Sequence, residues 1–322
     1  MIPPEATSRP TPFLTKLLMI GSRSARLLGS TVAYINAQRR GSHPESLRRA
    51  HEISGELLSW PGLRLFEKGD ATFLPSIVSS AIDFLRSCPA EGAGPECNRQ
   101  LQFLAFLADH RPEMVSQLGQ ELMVMFFLAG KRDGFFVEIG AGDGLAMSNT
   151  YLLEKRFGWK GILAEPNPAF HAPIQAKRVA ALEKKAVYSA DAQVMRFVVV
   201  EGVGEFSTLE PFAGGDEHDR SRRTVIDVGC TTIGGLLENH GAPHAIDYIS
   251  IDTEGSEYEI LKRHNFEQYD VSIFSIEHNF VPAKGVLIDE LLSRQGYARV
   301  FPLISKWDGW YVKRHLLACE FP

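Results

Sequence analysis

The chain has 322 residues, of which 44% are hydrophobic and 23% are charged, so it is long enough for one large or two smaller globular domains and is not disordered as a whole. Its net charge is −5, unevenly spread: residues 1–130 carry 13 basic and 12 acidic side chains, whereas residues 131–322 carry 21 and 27. Neither part has the basic excess with which proteins bind a phosphate backbone, so nucleic acid is excluded as the expected main partner.

The N-terminal part carries no evident membrane-spanning or export signal. Its most apolar stretch, residues 13–35, is interrupted by Lys16, Arg23 and Arg26 and is too charged for a transmembrane helix. Such a basic amphipathic stretch also fits peripheral contact with a membrane surface, an alternative that stays open beside ordinary packing. The four cysteines form no CxxC pair and no zinc pattern, which predicts a reducing, cytoplasmic compartment without a disulfide framework.

Residues 44–130 show apolar side chains at three-and-four spacing, which predicts short packed helices. The Pro- and Gly-rich run 88–95 is the best linker candidate among them. We therefore expect a helical N-terminal region over residues 1–115. The function of this region stays open, with partner binding and homo-oligomer formation as the candidates.

From Gly134 onward, short apolar runs alternate with helical patterns. The predicted strands are Phe135–Ile139, Gly161–Ala164, Met195–Val200, Ile246–Ile251 and Ser272–Ile276. The predicted helices are Ser148–Arg156, Pro168–Ala176, Glu254–Arg263 and Val286–Gln295. Strands that are apolar on successive residues are typical of a parallel sheet covered on both faces, so this alternation predicts an α/β fold. Ligands in such folds bind beyond the carboxyl ends of the strands.

A glycine-rich loop directly follows the first predicted strand. It consists of Gly140, Ala141, Gly142, Asp143 and Gly144. Glycine lets the backbone turn tightly and approach a ligand closely, although a tight strand-to-helix turn needs glycine for steric reasons alone. The next strand leads into Glu165, 25 residues after Gly140, where nucleotide-binding α/β folds place a carboxylate on ribose hydroxyls. The loop and Glu165 together predict a nucleoside-binding pocket.

The acidic side chains around this loop bear on the choice of cofactor. Glu138 precedes the turn and Asp143 lies within it, and the loop lacks the GxGxxG spacing of dinucleotide sites. Carboxylates repel a pyrophosphate, whereas they suit the cationic amino-acid end of S-adenosylmethionine. The pattern therefore favours a methyl donor. A nicotinamide-dependent oxidoreductase, which would use the same loop and Glu165, is the alternative.

A second group of polar residues follows the later strands. Asp252 comes at the end of one strand, and Glu277 and His278 come at the end of the next. Because neighbouring parallel strands end at the same edge of a sheet, we expect these side chains around one spot, where a histidine suits proton transfer from a hydroxyl group. Three alternatives to this catalytic interpretation stay open. Glu254 would have a purely structural role in the first turn of a helix that Thr253 caps. The group as a whole would bind a divalent cation or form a purely structural polar cluster.

Taken together, these motifs resemble those of the FkbM-type S-adenosylmethionine-dependent methyltransferases. The segments that carry the resemblance are residues 134–144, 148–150, 153–154, 158–161, 165–166, 246–255 and 277–279. Upstream, residues 116–121 also resemble the polar helix that precedes the first strand in that family. The similarity spans Ser116–Tyr297 and leaves the first hundred or so residues uncovered.

The resemblance implies a Rossmann-like methyltransferase fold over residues 116–322, with a mainly parallel seven-stranded sheet and helices on both faces. It implies S-adenosylmethionine as the cofactor and O-methylation of a sugar, glycan or polyketide-like metabolite. The implied donor-binding residues are Glu138, Gly140, Ala141, Gly142, Asp143, Gly144, Ser148, Asn149, Glu165, Pro166 and Asp252. The implied catalytic residues, which face the acceptor, are Asp252, Glu254, Glu277 and His278. No metal ligands are predicted.

Among the implied catalytic residues, His278 is the expected proton acceptor and Asp252 the next candidate. The polar segment 214–223 departs from the family pattern, and we interpret it as a solvated surface loop, with a lid or an acceptor-binding loop as the alternative. A non-catalytic interaction module on a degenerate methyltransferase fold is the remaining alternative. The presence of Asp143, Glu165 and Asp252 argues against such degeneracy.

Overall fold

The computed structural model describes residues 95–110, 113–216 and 218–318. The chain divides into two compact units, Met1–Pro112 and Glu113–Pro322. In the first unit, the described residues form helix α1, Pro95–His110. The helices predicted upstream, almost all of the predicted linker and the amphipathic N-terminal stretch lie outside the described residues. No helix among the described residues combines the length and the apolar character that crossing a bilayer requires.

The second unit alternates strands and helices, which confirms the predicted α/β class. Its helices are α2, Gln120–Phe127; α3, Tyr151–Phe157; α4, Pro168–Lys177; α5, Ile233–Asn239; α6, Glu257–Leu261; and α7, Pro282–Arg294. Its strands are β1, Phe135–Ile139; β2, Lys160–Ala164; β3, Ala181–Glu183; β4, Ala186–Val187; β5, Val194–Val200; β6, Thr208–Leu209; β7, Arg223–Thr231; β8, Ala245–Ile251; β9, Asp270–Glu277; β10, Tyr297–Val300; and β11, Asp308–Lys313. Of the upstream segment 116–121, only the last two residues belong to α2.

Seven strands form the central sheet, in the order β10-β11-β9-β8-β1-β2-β3. Strand β1 pairs in parallel with β2 and β8, and the pairs β2/β3 and β8/β9 are also parallel. Strand β11 runs antiparallel to both of its neighbours, β9 and β10. The sheet therefore has seven strands, as expected, but it is mixed, because the chain turns back on itself between β10 and β11 instead of crossing over through a helix.

Alternation along β1 divides its side chains between the two faces of the sheet. Val137 and Ile139 belong to an apolar core that also contains side chains of α5, α6 and α7. Glu138 points to the opposite face, where Thr150, at the N-terminus of α3, donates a hydrogen bond to it. Helices therefore cover both faces, and burial of the apolar side chains contributes roughly 25 cal/mol for each Å² removed from water.

Strands β4 to β7 form a separate four-stranded sheet, in the order β4-β7-β5-β6. Strand β5 pairs antiparallel with β6 and β7, and Phe197, Leu209 and Cys230 of these three strands belong to one small apolar core. The strand predicted over Met195–Val200 is thus present, but its place in the parallel sheet is wrong. An apolar run specifies burial without specifying its partner, and the partners here are β6 and β7, the next two strands along the chain, and not strands of the central sheet.

Helix α6 begins at Glu257, three residues later than predicted. Glu254 and Gly255 have φ angles of 58° and 133°, which lie outside the helical region. Ser256 occupies the N-cap position expected for Thr253, which instead donates hydrogen bonds from its backbone N–H and its hydroxyl to Glu257 Oε1. Glu254 therefore lies outside the helix, and its side chain faces the carboxyl ends of the strands.

Candidate active site

A cavity of about 800 Å³ opens at the carboxyl ends of strands β1, β2, β8 and β9. This is the edge of the sheet at which α/β folds bind ligands. Eleven of the residues singled out from the sequence line it, namely Glu138, Gly140, Ala141, Gly142, Ser148, Asn149, Glu165, Pro166, Asp252, Glu254 and Glu277. The structure therefore brings the glycine loop and the later carboxylates together around one space.

Three of the predicted site residues do not line the cavity: Asp143, Gly144 and His278. Asp143 turns back on its own loop, where its Oδ1 accepts hydrogen bonds from the backbone N–H groups of Leu145 and Ala146. Its Oδ2 accepts a hydrogen bond of 2.7 Å from Lys177 Nζ. Asp143 thus shapes the loop, and the acidic residue that lines the cavity beside the loop is Glu138, near the end of β1.

Gly140 is required by the packing of two strand ends. Its φ angle is 85°, and a Cβ atom at this position would overlap the carbonyl oxygen of Asp252. The backbone N–H of Asp252 in turn donates a hydrogen bond of 2.9 Å to the carbonyl of Ile139. Gly142 also has a positive φ, 53°, but the nearest atom to its Cβ position is Glu205 Cγ at 3.9 Å. Of these two glycines, only Gly142 leaves room for a ligand.

Glu138 is 3% exposed and accepts hydrogen bonds on both carboxylate oxygens. Its Oε2 accepts from the hydroxyls of Ser148, at 2.9 Å, and Thr150, at 2.5 Å, and its Oε1 accepts from the backbone N–H of Asn149 at 2.7 Å. The Asn149 side chain donates to Ser250 Oγ on β8 at 2.8 Å. Because hydrogen bonds to a carboxylate are strong, residues 148–150 are held firmly against the end of β1.

Glu165 joins the glycine loop to the segment after β2. Its Oε2 accepts a hydrogen bond of 2.9 Å from the backbone N–H of Gly142, and its Oε1 accepts one of 2.7 Å from that of Asn167. Burial raises the pKa of Glu165 to about 8; these two hydrogen bonds oppose the shift, and the charges of Glu205 and Asp252 add to it. Glu165 stands where the sequence predicts a ribose-binding carboxylate.

Three carboxyl groups, Asp252, Glu254 and Glu277, form what we call the acidic cluster, in which one oxygen of each group lies within 4.8 Å of one oxygen of the other two. Asn279 Nδ2 donates to Glu254 at 3.2 Å and to Glu277 at 2.9 Å. Burial raises the pKa of Glu277 well above its usual range, that of Glu254 to about 8 and that of Asp252 to about 6, and repulsion from neighbouring carboxylates adds to each shift. The cluster therefore retains protons near neutral pH.

His278 does not join the acidic cluster, contrary to the expectation from its position beside Glu277. Its side chain lies outside the cavity, and its Nε2 is 3.1 Å from Arg299 Nη2. Burial and the charge of Arg299 lower the pKa of the His278 imidazole. Successive residues of an extended chain point to opposite sides, so the neighbour of a cavity-lining glutamate faces away from the cavity.

The inner part of the polar segment 214–223 is anchored beside the acidic cluster; we call residues 214–216 and 218–220 the wall segment. The Arg220 side chain is 2% exposed and donates to the carbonyl of Phe206 at 2.7 Å. It also donates to both carboxylate oxygens of Asp216, at 2.5 and 2.8 Å, and to Glu254 at 3.4 Å. The interpretation as a solvated surface loop is therefore wrong for the side chains of Asp216 and Arg220, whereas Gly214, Gly215 and Asp219 are exposed.

The wall segment supplies an imidazole that sequence reasoning missed. His218 lines the cavity, and its ring stacks on Phe206 with a centroid distance of 4.0 Å. Its Nε2 lies 3.4 Å from Glu254 Oε2. A histidine in a polar loop carries no local signal of such a role, because its position depends on the burial of Arg220.

The apolar lining of the cavity was also missed. The four-stranded sheet contributes Ala186, Val187, Phe197 and Leu209 to it. At the mouth of the cavity, Phe280 is 64% exposed and meets Trp307 edge to face, with a centroid distance of 6.0 Å. Asn279 was within reach of the sequence analysis, since it completes the motif that begins at Glu277. The apolar residues belong to strands of the second sheet, whose position beside the central sheet no local pattern shows.

Among the residues that the structure describes, two groups of side chains have the composition and spacing of a cation site: the acidic cluster, and Asp216 with His218 and Glu254. In the second group, both Asp216 oxygens already accept hydrogen bonds from Arg220, so a guanidinium supplies the positive charge. The acidic cluster offers oxygen ligands only, which suits Mg²⁺ or Ca²⁺. The divalent-cation alternative therefore concerns the acidic cluster.

Residues 138–298 match the methyltransferase FkbM domain. The match covers half of the chain, from the end of β1 into β10, and contains the glycine loop, Glu165, the wall segment and the acidic cluster. In a search of curated proteins, no protein matches the chain.

Proposed function

The chain belongs to the FkbM methyltransferase family, and from this premise we propose that it transfers the methyl group of S-adenosylmethionine to a hydroxyl group of a sugar, glycan or polyketide-like small molecule. The observation that carries the proposal is a single cavity with the glycine loop and Glu165 at one end and the acidic cluster at the other. We call these the donor end and the acceptor end. Family membership supports methyl transfer. The identity of the methyl donor and the class of the acceptor are what we propose in addition.

The residues of the donor end fit S-adenosylmethionine. Glu165 offers its carboxyl group to the ribose hydroxyls, Ala186 and Val187 offer apolar surface to the adenine, and Glu138 and Asn149 offer polar groups to the amino-acid end. A volume of about 800 Å³ is within the range of small-molecule sites. When bound there, S-adenosylmethionine supplies a methyl group that is activated by the positive charge on its sulfur.

The chain itself would contribute alignment and proton removal. The hydrogen bonds around Glu138 and Glu165 hold the donor end in one geometry. At the acceptor end, Asp252 has a pKa of about 6, so at neutral pH its carboxylate is able to accept the proton of a hydroxyl group. Glu277 retains its proton and donates a hydrogen bond to Asp252. His278 does not line the cavity, so the second candidate for the proton acceptor is His218, which does line it.

Calorimetric titration of the full chain tests the donor. We expect S-adenosylhomocysteine to bind and NAD not to bind, because the Glu138 carboxylate suits an amino-acid group and repels a pyrophosphate, whereas Glu165 would accept the ribose of either ligand. Binding of NAD without binding of S-adenosylhomocysteine would instead support a nicotinamide-dependent oxidoreductase.

Isotopically labelled S-adenosylmethionine tests the transfer itself. The full chain is incubated with sugar, glycan and metabolite pools, and the label is followed into product by mass spectrometry. We expect label on a hydroxyl oxygen. Parallel reactions with EDTA decide whether the acidic cluster needs a cation. Label on nitrogen or carbon alone would contradict O-methylation, and donor binding without transfer to any pool would favour the non-catalytic alternative.

A further inference from the structure

We infer that Arg178 is a positioning residue for the amino-acid end of the methyl donor, acting through Glu138 and residues 148–150. The inference rests on the proposed function, because it concerns how the donor is held. Arg178 follows the last residue of α4 and does not line the cavity. No sequence motif singles it out, and the proposed mechanism does not use it.

The guanidinium of Arg178 is completely buried. Its Nη1 donates to the carbonyl of Gly144 at 2.9 Å and to Ser148 Oγ at 3.1 Å, and its Nη2 donates to Thr150 Oγ1 at 2.8 Å. Its Nε donates to Glu154 Oε2 at 3.1 Å. These partners extend from the end of the glycine loop into α3, so one side chain organises the whole connection between β1 and α3.

The same guanidinium determines how Glu138 is held. Nη1 of Arg178 lies 3.6 Å from Glu138 Oε2, which also accepts hydrogen bonds from the hydroxyls of Ser148 and Thr150. Each of these hydroxyls accepts a hydrogen bond from the guanidinium, so its own hydrogen is directed to the carboxylate. Arg178 therefore orients two of the donors to Glu138 and pairs its buried charge.

Two aromatic rings restrict the guanidinium further. It lies 5.5 Å from the ring centroid of Phe136 and 5.6 Å from that of Tyr151. Such contacts with aromatic faces suit the planar guanidinium of arginine. The hydrogen bonds also use nitrogens on every side of the group, which the single ammonium of lysine cannot reproduce. The site is therefore built for arginine and not merely for a positive charge.

The contacts of Arg178 concern only one part of the donor end. Its hydrogen bonds go to the Glu138 side, where the proposed function places the amino-acid group of the donor. Glu165, which would hold the ribose, is instead held by the backbone N–H groups of Gly142 and Asn167. Loss of the guanidinium should therefore weaken the grip on the amino-acid group and spare the nucleoside.

Two ligands separate these parts: S-adenosylhomocysteine, and 5′-methylthioadenosine, which has the same nucleoside and thioether sulfur but no amino-acid group. Their affinities for the full chain and for Arg178→Lys and Arg178→Met are measured by calorimetry. We expect S-adenosylhomocysteine to bind about tenfold or more weakly to both variants, whereas 5′-methylthioadenosine changes by less than about twofold. If Arg178→Met does not fold, Arg178→Lys, which retains the charge, carries the test.

The matched control is Lys177→Met. Lys177 is the neighbouring cation, but it is 35% exposed and pairs with Asp143 outside the cavity, so both affinities should stay near those of the wild type. The ratio of the two affinities is taken on one preparation, so partial unfolding does not alter it. Equal weakening of both ligands by the Arg178 variants, or no weakening, would overturn the positioning role. Wild-type protein that binds neither ligand would overturn the proposed function, and this inference with it.

Discussion

The donor end and the acceptor end of the cavity hold their carboxyl groups in different ways. At the donor end, Glu138 accepts three hydrogen bonds and Glu165 accepts two, all from hydroxyl or backbone N–H groups. At the acceptor end, the three carboxyl groups of the acidic cluster lie within 4.8 Å of one another, and Asn279 donates to two of them. The first arrangement fixes the positions of the carboxyl oxygens, whereas the second brings carboxyl groups of like charge close together.

This difference matches two tasks. Polar groups that hydrogen bonds already hold in place let a ligand bind without reorganisation of the protein, which suits the alignment of a cofactor. Crowded buried carboxyls have raised pKa values and exchange protons near neutral pH, which suits proton transfer. Separate effects are therefore expected for three places: the junction between the two ends, where Gly140 contacts the backbone of Asp252; the acceptor end; and the wall segment beside it.

Replacing Gly140 by alanine should disrupt the junction and produce the strongest effect. A Cβ atom there would overlap the Asp252 carbonyl, and the φ angle of 85° strains any residue except glycine. We expect the free energy of unfolding, measured by urea denaturation, to fall by roughly 3 kcal/mol or more. Gly142→Ala, which meets no close neighbour, should cost only about 1–2 kcal/mol. Equal losses would show that the two strand ends do not need this close contact.

Asp252→Asn should separate the acceptor end from the donor end. We expect the rate of methyl transfer to fall about 100-fold or more, because the amide cannot accept the proton. The affinity for S-adenosylhomocysteine should change by less than about threefold, since Glu138 and Glu165 remain in place. Asp227→Asn, an exposed carboxyl group on β7, serves as the control. Unchanged turnover in Asp252→Asn would move the proton-acceptor role to His218.

Arg220→Gln should detach the wall segment from the acceptor end. The variant loses the paired hydrogen bonds to Asp216 and leaves that buried carboxylate without its cation. We expect amide hydrogen exchange of the wall segment, followed by mass spectrometry, to accelerate about tenfold. Arg222→Gln removes a guanidinium that is 83% exposed and should leave the exchange unchanged. Slow exchange in Arg220→Gln would mean that other contacts hold the segment.

The weakest expected effect is on the pH dependence of donor binding. As the pH rises from 6 to 9, Asp252, with a pKa of about 6, and Glu254, with a pKa of about 8, lose protons and gain negative charge. The affinity for cationic S-adenosylmethionine relative to neutral S-adenosylhomocysteine should therefore increase, by about three- to tenfold in calorimetric titrations. The ratio cancels the titration of Glu165, which affects both ligands. A flat or falling ratio would contradict the charge assigned to the acceptor end.

Much of the site was predictable because it depends on local pattern. The strands β1, β2, β8 and β9 were found as apolar runs, and Glu165, Asp252 and Glu277 were expected at one edge because parallel strands end together. The errors have a common origin. Sequence adjacency groups His278 with Glu277, although alternation turns the imidazole away from the cavity. The apolar run Met195–Val200 predicts a buried strand but does not show that it pairs with β6 and β7 in a second sheet.

Local periodicity and glycine placement were sufficient to establish the α/β alternation, the loop after β1 and the edge where the carboxyl groups gather. The folded chain alone shows which face each side chain takes and what lies opposite it. Arg178 reaches Ser148 across 30 residues, and Arg220 reaches Glu254 across 34. Such contacts depend on the packing of distant segments, which no short stretch of sequence records, and here they hold the donor loop and the wall of the acceptor end.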